Sequence, residues 1–222
     1  MRPFTFINIA ASADGKISDE SRRQLRISCG EDLLRVDELR ASSDAIMVGI
    51  GTVLSDNPSL TIKSETLRLA RIRKSKSENP VRVVVDSKCK IPLNSRVFEG
   101  NAETIIATTT SADKEKVRLL KERAEVVFSG DEKVNLKNLL EVLYKKGIEK
   151  VMVEGGGTLI NSMLREGLID EMTIYYGNML IGGKDSPTIV DGWSFDEPIK
   201  LELVELTRLG SGILTRWKVI RK

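Results

Sequence analysis

Apolar residues along the chain fall into short runs separated by polar stretches, several of which carry a helical period. The run "FTFINIA" (Phe4 to Ala10) reads as a buried strand. A polar loop, "SADGKISDESRRQ", leads into "SCGEDLLRVDELRASS". There Ser28 and Glu31 fit a capping box, and Leu33, Leu34, Val36 and Leu39 share one helical face. A second strand, "AIMVG" (Ala45 to Gly49), ends in "IGTVLSDNP", either a glycine turn or a capped short helix before Pro58. Lys63 to Pro80 is polar and strongly basic, so a solvated loop or irregular helix is expected.

The second half of the chain alternates regularly. "VRVVVD" (Val81 to Asp86) is a β-branched run of the kind covered on both faces, and "ETIIATT" repeats it. "DKEKVRLLKERA" predicts a helix, "EVVFS" a strand, and "NLKNLLEVLYKKG" a helix with Gly147 just past its end. "KVMVE" is then a strand, "TLINSMLREG" a helix and "EMTIYYG" a strand. The last stretch, from Lys200, holds two extended runs joined at Gly210-Ser211-Gly212, a β-hairpin. Alternating strands and helices imply an α/β fold, a mainly parallel sheet with right-handed crossovers. The hairpin would add antiparallel strands at one edge, in one domain spanning residues 1–222.

Composition narrows the chemistry. With 35 basic and 32 acidic side chains the net charge is only +3, which argues against a general nucleic-acid binder. No apolar run is long enough for a membrane span and no signal-peptide pattern appears, so a cytoplasmic protein is expected. Cys29 and Cys89 form no C-x-x-C pair, which disfavours a disulfide framework or a thiolate zinc site. The sequence contains no histidine. That removes Ser-His-Asp and Cys-His catalysis and the histidine-bearing zinc signatures, leaves Cys89 without an activating base, and predicts no metal site. The difficult step then falls to a bound cofactor, with Lys, Asp, Glu, Tyr and backbone groups around it.

Ligands of open α/β sheets sit beyond the carboxyl ends of the strands. Four stretches end predicted strands there with glycine or polar residues: "AASADGK", "GIGTVLSDNPSLT", "VVVDSKCKIP" and "VEGGGT". In the last, glycines permit close backbone approach and the helix start favours an anion, yet Glu154 stands at its mouth. It is neither G-x-G-x-x-G nor a Walker loop, and spacing alone leaves open a tight turn without a ligand. Asp14 and Lys16 fit a polar turn equally well, and Arg40, at a helix end, suits the helix dipole without a ligand. Arg68 to Lys76 is expected to be a solvated loop, and Trp193 and Trp217 to be core or interface residues.

Taken together, "INIAASADGKIS", "DELRASSDAIMVGIGTVLSDNPSLT", "RVVVDSKCKIP" and "VEGGGTLINSML" resemble the riboflavin-biosynthesis reductase family along nearly the whole chain. The likeness is to its stand-alone archaeal form, without the zinc deaminase fused to it in bacteria. The resemblance implies a dihydrofolate-reductase-like fold, a homodimer, and NADPH (in some members NADH) as hydride donor. It implies reduction of the ribosylamino group of a phosphorylated pyrimidinone to ribitylamino, by hydride addition at C1′ of the ring-opened imine.

Carried over residue by residue, the resemblance puts Ala11, Thr52, Asp56, Asp86, Ser87, Lys88, Gly155, Gly156, Gly157 and Thr158 at the cofactor. Arg40 and Lys63 would hold the 5′-phosphate, with Leu60 beside them, and Gln24 would touch substrate from a variable loop. Lys16 would be the catalytic group, orienting the ribose chain or donating a proton, and Glu154 would recognise the pyrimidine. A carboxylate suits that ring's donor-rich edge, which removes the anomaly of an acid beside the glycine turn. Lys63 stands where arginine is common, Asn57 where an acid is frequent, and Asp37 where histidine is often found. Two other readings fit the same fold: a dihydrofolate reductase-type pterin reductase, whose pterin-binding acid belongs elsewhere, and a non-catalytic nucleotide-binding protein.

Overall fold

The β-branched runs become central strands. In the computed structural model, which describes residues 1–220, the chain forms two compact units. One comprises Met1–Pro3 and Asp37–Met152; the other comprises Phe4–Val36 and the described residues from Val153 on.

In the first unit, β2 (Ala45–Gly49), β3 (Val81–Val85), β4 (Thr104–Thr108) and β5 (Glu125–Phe128) pair in parallel, in that order. β6 (Lys150–Val153) lies on the other side of β2. The parallel register sets Gly49 beside Val85, so the loops leaving β2 and β3 start next to each other. Ile46, Val48, Val84 and Ile106 are fully buried and pack with Val53, Leu60, Cys89 and Leu120 in one cluster. α5 (Leu136–Lys145) buries Leu136, Leu139, Leu140 and Leu143, the i, i+3, i+4, i+7 stripe its sequence predicts. Asn135 caps it, accepting from the Asn138 N–H, and Gly147 (φ 83°) supplies the left-handed residue beyond its end.

In the second unit, β1 (Phe4–Ser12) runs parallel to β7 (Glu171–Gly177). β7 pairs antiparallel with β9 (Gly212–Val219), and β9 with β8 (Leu201–Leu209), the predicted C-terminal hairpin. α6 (Gly157–Arg165) buries Leu159, Ile160, Met163 and Leu164. The architecture is α/β, with mostly parallel strands, antiparallel strands in the hairpin, and flanking helices. Among the described residues no helix is long and apolar enough to cross a membrane.

Several local expectations need correction. α1 (Gly30–Ser42) starts without the Ser28–Glu31 box, because the Ser28 hydroxyl donates to Asp32 at 2.5 Å instead. Its buried residues include the acids Asp32 and Asp37, whereas Leu33 and Leu34 are 48% and 68% exposed. Asp32 tolerates burial because Arg35 donates to it from Nε and Nη2 at 2.9 and 2.7 Å. Of the loop or irregular helix expected from Lys63 to Pro80, Glu65–Arg73 is the helix α3, capped by Ser64, and residues 74–80 form neither helix nor strand. Arg71 of α3 is buried rather than solvated, and its guanidinium donates to the carbonyls of Ala41, Ser43 and Ser77. "IGTVLSD" is the short helix α2 (Ile50–Asp56), with no side-chain cap at Gly49 and with Asn57 left-handed at its end. Trp193 is 83% exposed, so it is not a core residue. Trp217 is half-buried, and its indole N–H donates to Thr215.

Candidate active site

Each unit brings together two of the four strand-end stretches. In the first, α1 reaches the segment after α2 through two residues one turn apart. Asp37, buried, accepts from the Lys63 and Ser64 N–H groups at 2.7 and 2.6 Å. Arg40 Nη1 donates to the Thr61 carbonyl at 2.9 Å. Two side chains of one helix thus fix the backbone of residues 61–64, and with it the base of Lys63. Lys63 Nζ donates to Ser59 Oγ at 2.9 Å and to Thr61 Oγ1 at 3.3 Å. Partial burial pushes the Lys63 pKa down, and the positive charges of Arg40 and Arg96 push it further; nearby Asp37 opposes them. Crowded cations over hydroxyl groups suit a phosphate.

Leu60 sits beside Lys63 with φ 49° and is only 2% exposed. Its side chain packs in the core cluster with Val53 and Ile46, so toward a ligand it offers main chain only. Thr52 and Asp56, on α2, are half-buried, and desolvation pushes the Asp56 carboxyl up.

At the end of β3, Asp86 is 1% exposed and accepts from the Ile91 N–H at 2.8 Å, closing the loop Asp86–Ile91. Ser87 is tied down by the Val134 N–H on its hydroxyl and by Thr109 on its carbonyl, while Lys88 is exposed. Cys89 is fully buried, burial raises its thiol pKa, and it contacts Thr108 at 3.2 Å. That environment suits packing, not nucleophilic attack.

In the second unit Ala11 is fully buried on β1, opposite Tyr176. Beyond it, Asp14 accepts from the Ser12 hydroxyl at 2.6 Å and from the Ile181 and Gly182 N–H groups at 3.1 and 2.8 Å. The Ser12 hydrogen bond first, then the two backbone donors, hold its carboxyl at about 2. Lys16 pairs across a single antiparallel bridge with Thr188, and its Nζ donates to the Ser186 carbonyl at 3.2 Å. Gln24 is exposed.

Glu154 is half-buried at the end of β6. Gly155 follows with φ 104°, a conformation L side chains avoid, and a cis peptide bond joins it to Gly156. Nothing but Ile9 Cδ1, at 3.9 Å, comes near a side chain built on Gly155. Gly156 is the N-cap of α6, and as a glycine it offers no side chain to cap the first-turn N–H groups. Thr158, in that first turn, is exposed. Gly157 answers a different need: a Cβ there would lie 2.6 Å from the Thr188 carbonyl and 2.9 Å from the Asp191 nitrogen.

Thr188 and Asp191 therefore buttress the glycine turn, a role that sequence reasoning missed. Asp191 Oδ1 accepts from the Thr188 N–H and hydroxyl at 3.0 and 2.6 Å. The signal was a side-chain-to-backbone turn in "SPTIVDG", a segment without periodicity.

The sequence profile of the RibD C-terminal domain matches residues 3–215. A protein of Archaeoglobus fulgidus named 2,5-diamino-6-ribosylamino-4(3H)-pyrimidinone 5′-phosphate reductase is 57% identical over 212 residues, 96% of each chain. Among solved structures, a diaminohydroxyphosphoribosylaminopyrimidine deaminase/5-amino-6-(5-phosphoribosylamino)uracil reductase of Thermotoga maritima superposes with a TM-score of 0.79 at 28% identity. That match covers 99% of this chain but 57% of the Thermotoga protein. A dihydrofolate reductase of Enterococcus faecalis superposes with a TM-score of 0.51 at 13% identity, over 97% of this chain and 96% of the other, which shows the shared fold. With its profile match and its full-length relative, the chain belongs to the RibD C-terminal domain family.

Proposed function

We propose that this chain reduces the ribosylamino group of 2,5-diamino-6-ribosylamino-4(3H)-pyrimidinone 5′-phosphate to ribitylamino, a step of riboflavin biosynthesis, with NADPH as donor. The observation that carries the reading is the 57% identity to the Archaeoglobus reductase, spread over the full length of both chains. The side-chain geometry agrees with what such a substrate needs. Arg40 and Lys63, fixed through Thr61 and Asp37, take the 5′-phosphate. Glu154 accepts from the amino and N–H edge of the diaminopyrimidinone. Lys16, steadied by the Ser186 carbonyl, orients the ribose chain and is the proton source.

The chain's residues fit a dinucleotide. The first-turn N–H groups of α6, which follow glycines 155 and 156 and a glycine N-cap, suit a pyrophosphate. Ser87 and Lys88 suit the 2′-phosphate that distinguishes NADPH from NADH. When bound, the nicotinamide supplies a hydride, which adds to C1′ of the ring-opened imine while a proton goes to nitrogen. The residues named here bind and align the two partners, so that neither a metal nor a histidine is called for.

The enzyme works as a cytoplasmic homodimer on this reading. Its second unit has apolar surface to cover: Leu203 and Leu206 of β8 are 49% and 63% exposed, and Leu33 and Leu34 of α1 are also exposed. The test is NADPH oxidation by purified protein with the ribosylamino phosphate, using dihydrofolate as control. Oxidation with the first substrate alone is expected; no oxidation by folded protein overturns the assignment.

A further inference from the structure

The phosphate grip extends past Lys63 into an open depression of about 400 Å³ in the first unit. Lys63, Ser59 and Thr61 line it, and so does Arg96, which heads a short 3-10 turn, Arg96–Phe98. We propose that Arg96 is a phosphate-binding residue of this site, and that it sets the preference for a phosphomonoester over the dephosphorylated compound. The inference rests on the proposed reaction only for the identity of the phosphate's owner.

Arg96 is placed by structure built around it. Its N–H donates to Asn57 Oδ1 at 2.8 Å, and Asn57 is the left-handed residue that ends α2. Behind the turn, Arg82 is 1% exposed and donates to the carbonyls of Val97 and Glu99, which pins the loop from both sides of Phe98. The Arg96 side chain is exposed, and among the described residues its guanidinium has no ion pair or hydrogen bond.

Of the other charges of the depression, Arg68, Glu78 and Arg82 are committed. Four cations line it against two acids. Arg68 binds Glu78 at 2.7 Å and the carbonyls of Ile62 and Lys63, and Arg82 is spent on the loop. Glu99 is exposed. Among the described residues the hydrogen-bond partners of Lys63 Nζ are both hydroxyls, and the nearby charge of Arg96 helps to push its pKa down. A dianion between Lys63 and Arg96 relieves that repulsion. Arginine also adds what lysine lacks, a planar fork that binds two phosphate oxygens at once.

The test compares R96M, which keeps an unbranched stem but removes the guanidinium and its charge, with R96K and wild type. Three probes are used: ribose 5-phosphate binding by calorimetry, and turnover of the phosphorylated and dephosphorylated pyrimidinones. Loss of a charge-assisted contact predicts that R96M weakens ribose 5-phosphate and raises KM for the phosphorylated substrate about tenfold, with kcat little changed. Turnover of the dephosphorylated compound should be untouched, and R96K should recover only part of the loss. Unchanged ribose 5-phosphate affinity in R96M, or equal losses with both pyrimidinones, overturns the role. If wild type binds ribose 5-phosphate in an Arg96-dependent way yet reduces neither pyrimidinone, the proposed reaction fails and the phosphate site stands.

Discussion

Asp37 holds Lys63 by its backbone: one carboxylate oxygen accepts from the Lys63 N–H at 2.7 Å and the other from the Ser64 N–H at 2.6 Å. The same carboxylate therefore sets the direction of the Lys63 side chain and anchors the cap of α3. Asparagine offers one acceptor oxygen and turns its NH2 toward the second N–H, so D37N leaves a buried donor unmatched. We expect D37N to lose about 1–3 kcal/mol of stability in urea unfolding, and to raise KM for the phosphorylated substrate more than for its dephosphorylated form. An equal effect on both substrates would reduce Asp37 to a structural residue.

Glu154 and the glycines that follow it are adjacent in sequence but are proposed to face different ligands. E154Q should impair KM and turnover for the pyrimidinone while NADPH affinity, measured by fluorescence titration, barely changes. A selective loss of NADPH binding would assign Glu154 to the cofactor instead.

Gly157 has no room for a side chain, since a Cβ would meet the Thr188 carbonyl at 2.6 Å. G157A should therefore push back the loop that buttresses the turn and cost about 1–3 kcal/mol in chemical denaturation. G155A strains the backbone instead, because φ is 104° there and the nearest outside atom is 3.9 Å away. Wild-type stability in G157A would contradict the packing described.

Asp14 gives a pH dependence with a definite sign. Its carboxyl falls from an ordinary 3.8 to about 2 in the folded protein, so its contribution is complete above 3.8 and is lost as pH drops through 2. D14N should be less stable than wild type at neutral pH, and the gap should close between those two values. A gap that is constant down to pH 2 would show that the carboxylate charge is not what holds the Ile181–Gly182 turn.

Much of the frame was legible in the sequence because it is local. The β-branched run of β3, the leucine stripe of α5 and the glycine turn of the hairpin each report their own conformation. What stayed hidden depends on partners far along the chain. Arg71 looks like a solvated cation until the carbonyls of Ala41 and Ser43 are seen around it, and Leu33 and Leu34 look like core until Asp32 and Asp37 take the buried positions. In the candidate site the same division holds. The family resemblance marked Arg40 and Lys63, which spacing alone left as a helix-end cation and part of a basic stretch, but not Asp37 as their organiser, nor Thr188 and Asp191 behind Gly157. Those contacts join segments that no spacing rule connects.

Hydride transfer to C1′ of the ribosylamino chain is the proposed chemical step. It is tested most directly by running the reaction with NADPH deuterated at the transferred position and locating the label in the product by NMR. One deuterium on C1′ of the ribityl chain is expected. Deuterium on C2′, or a product without label while NADPH is consumed, would contradict it.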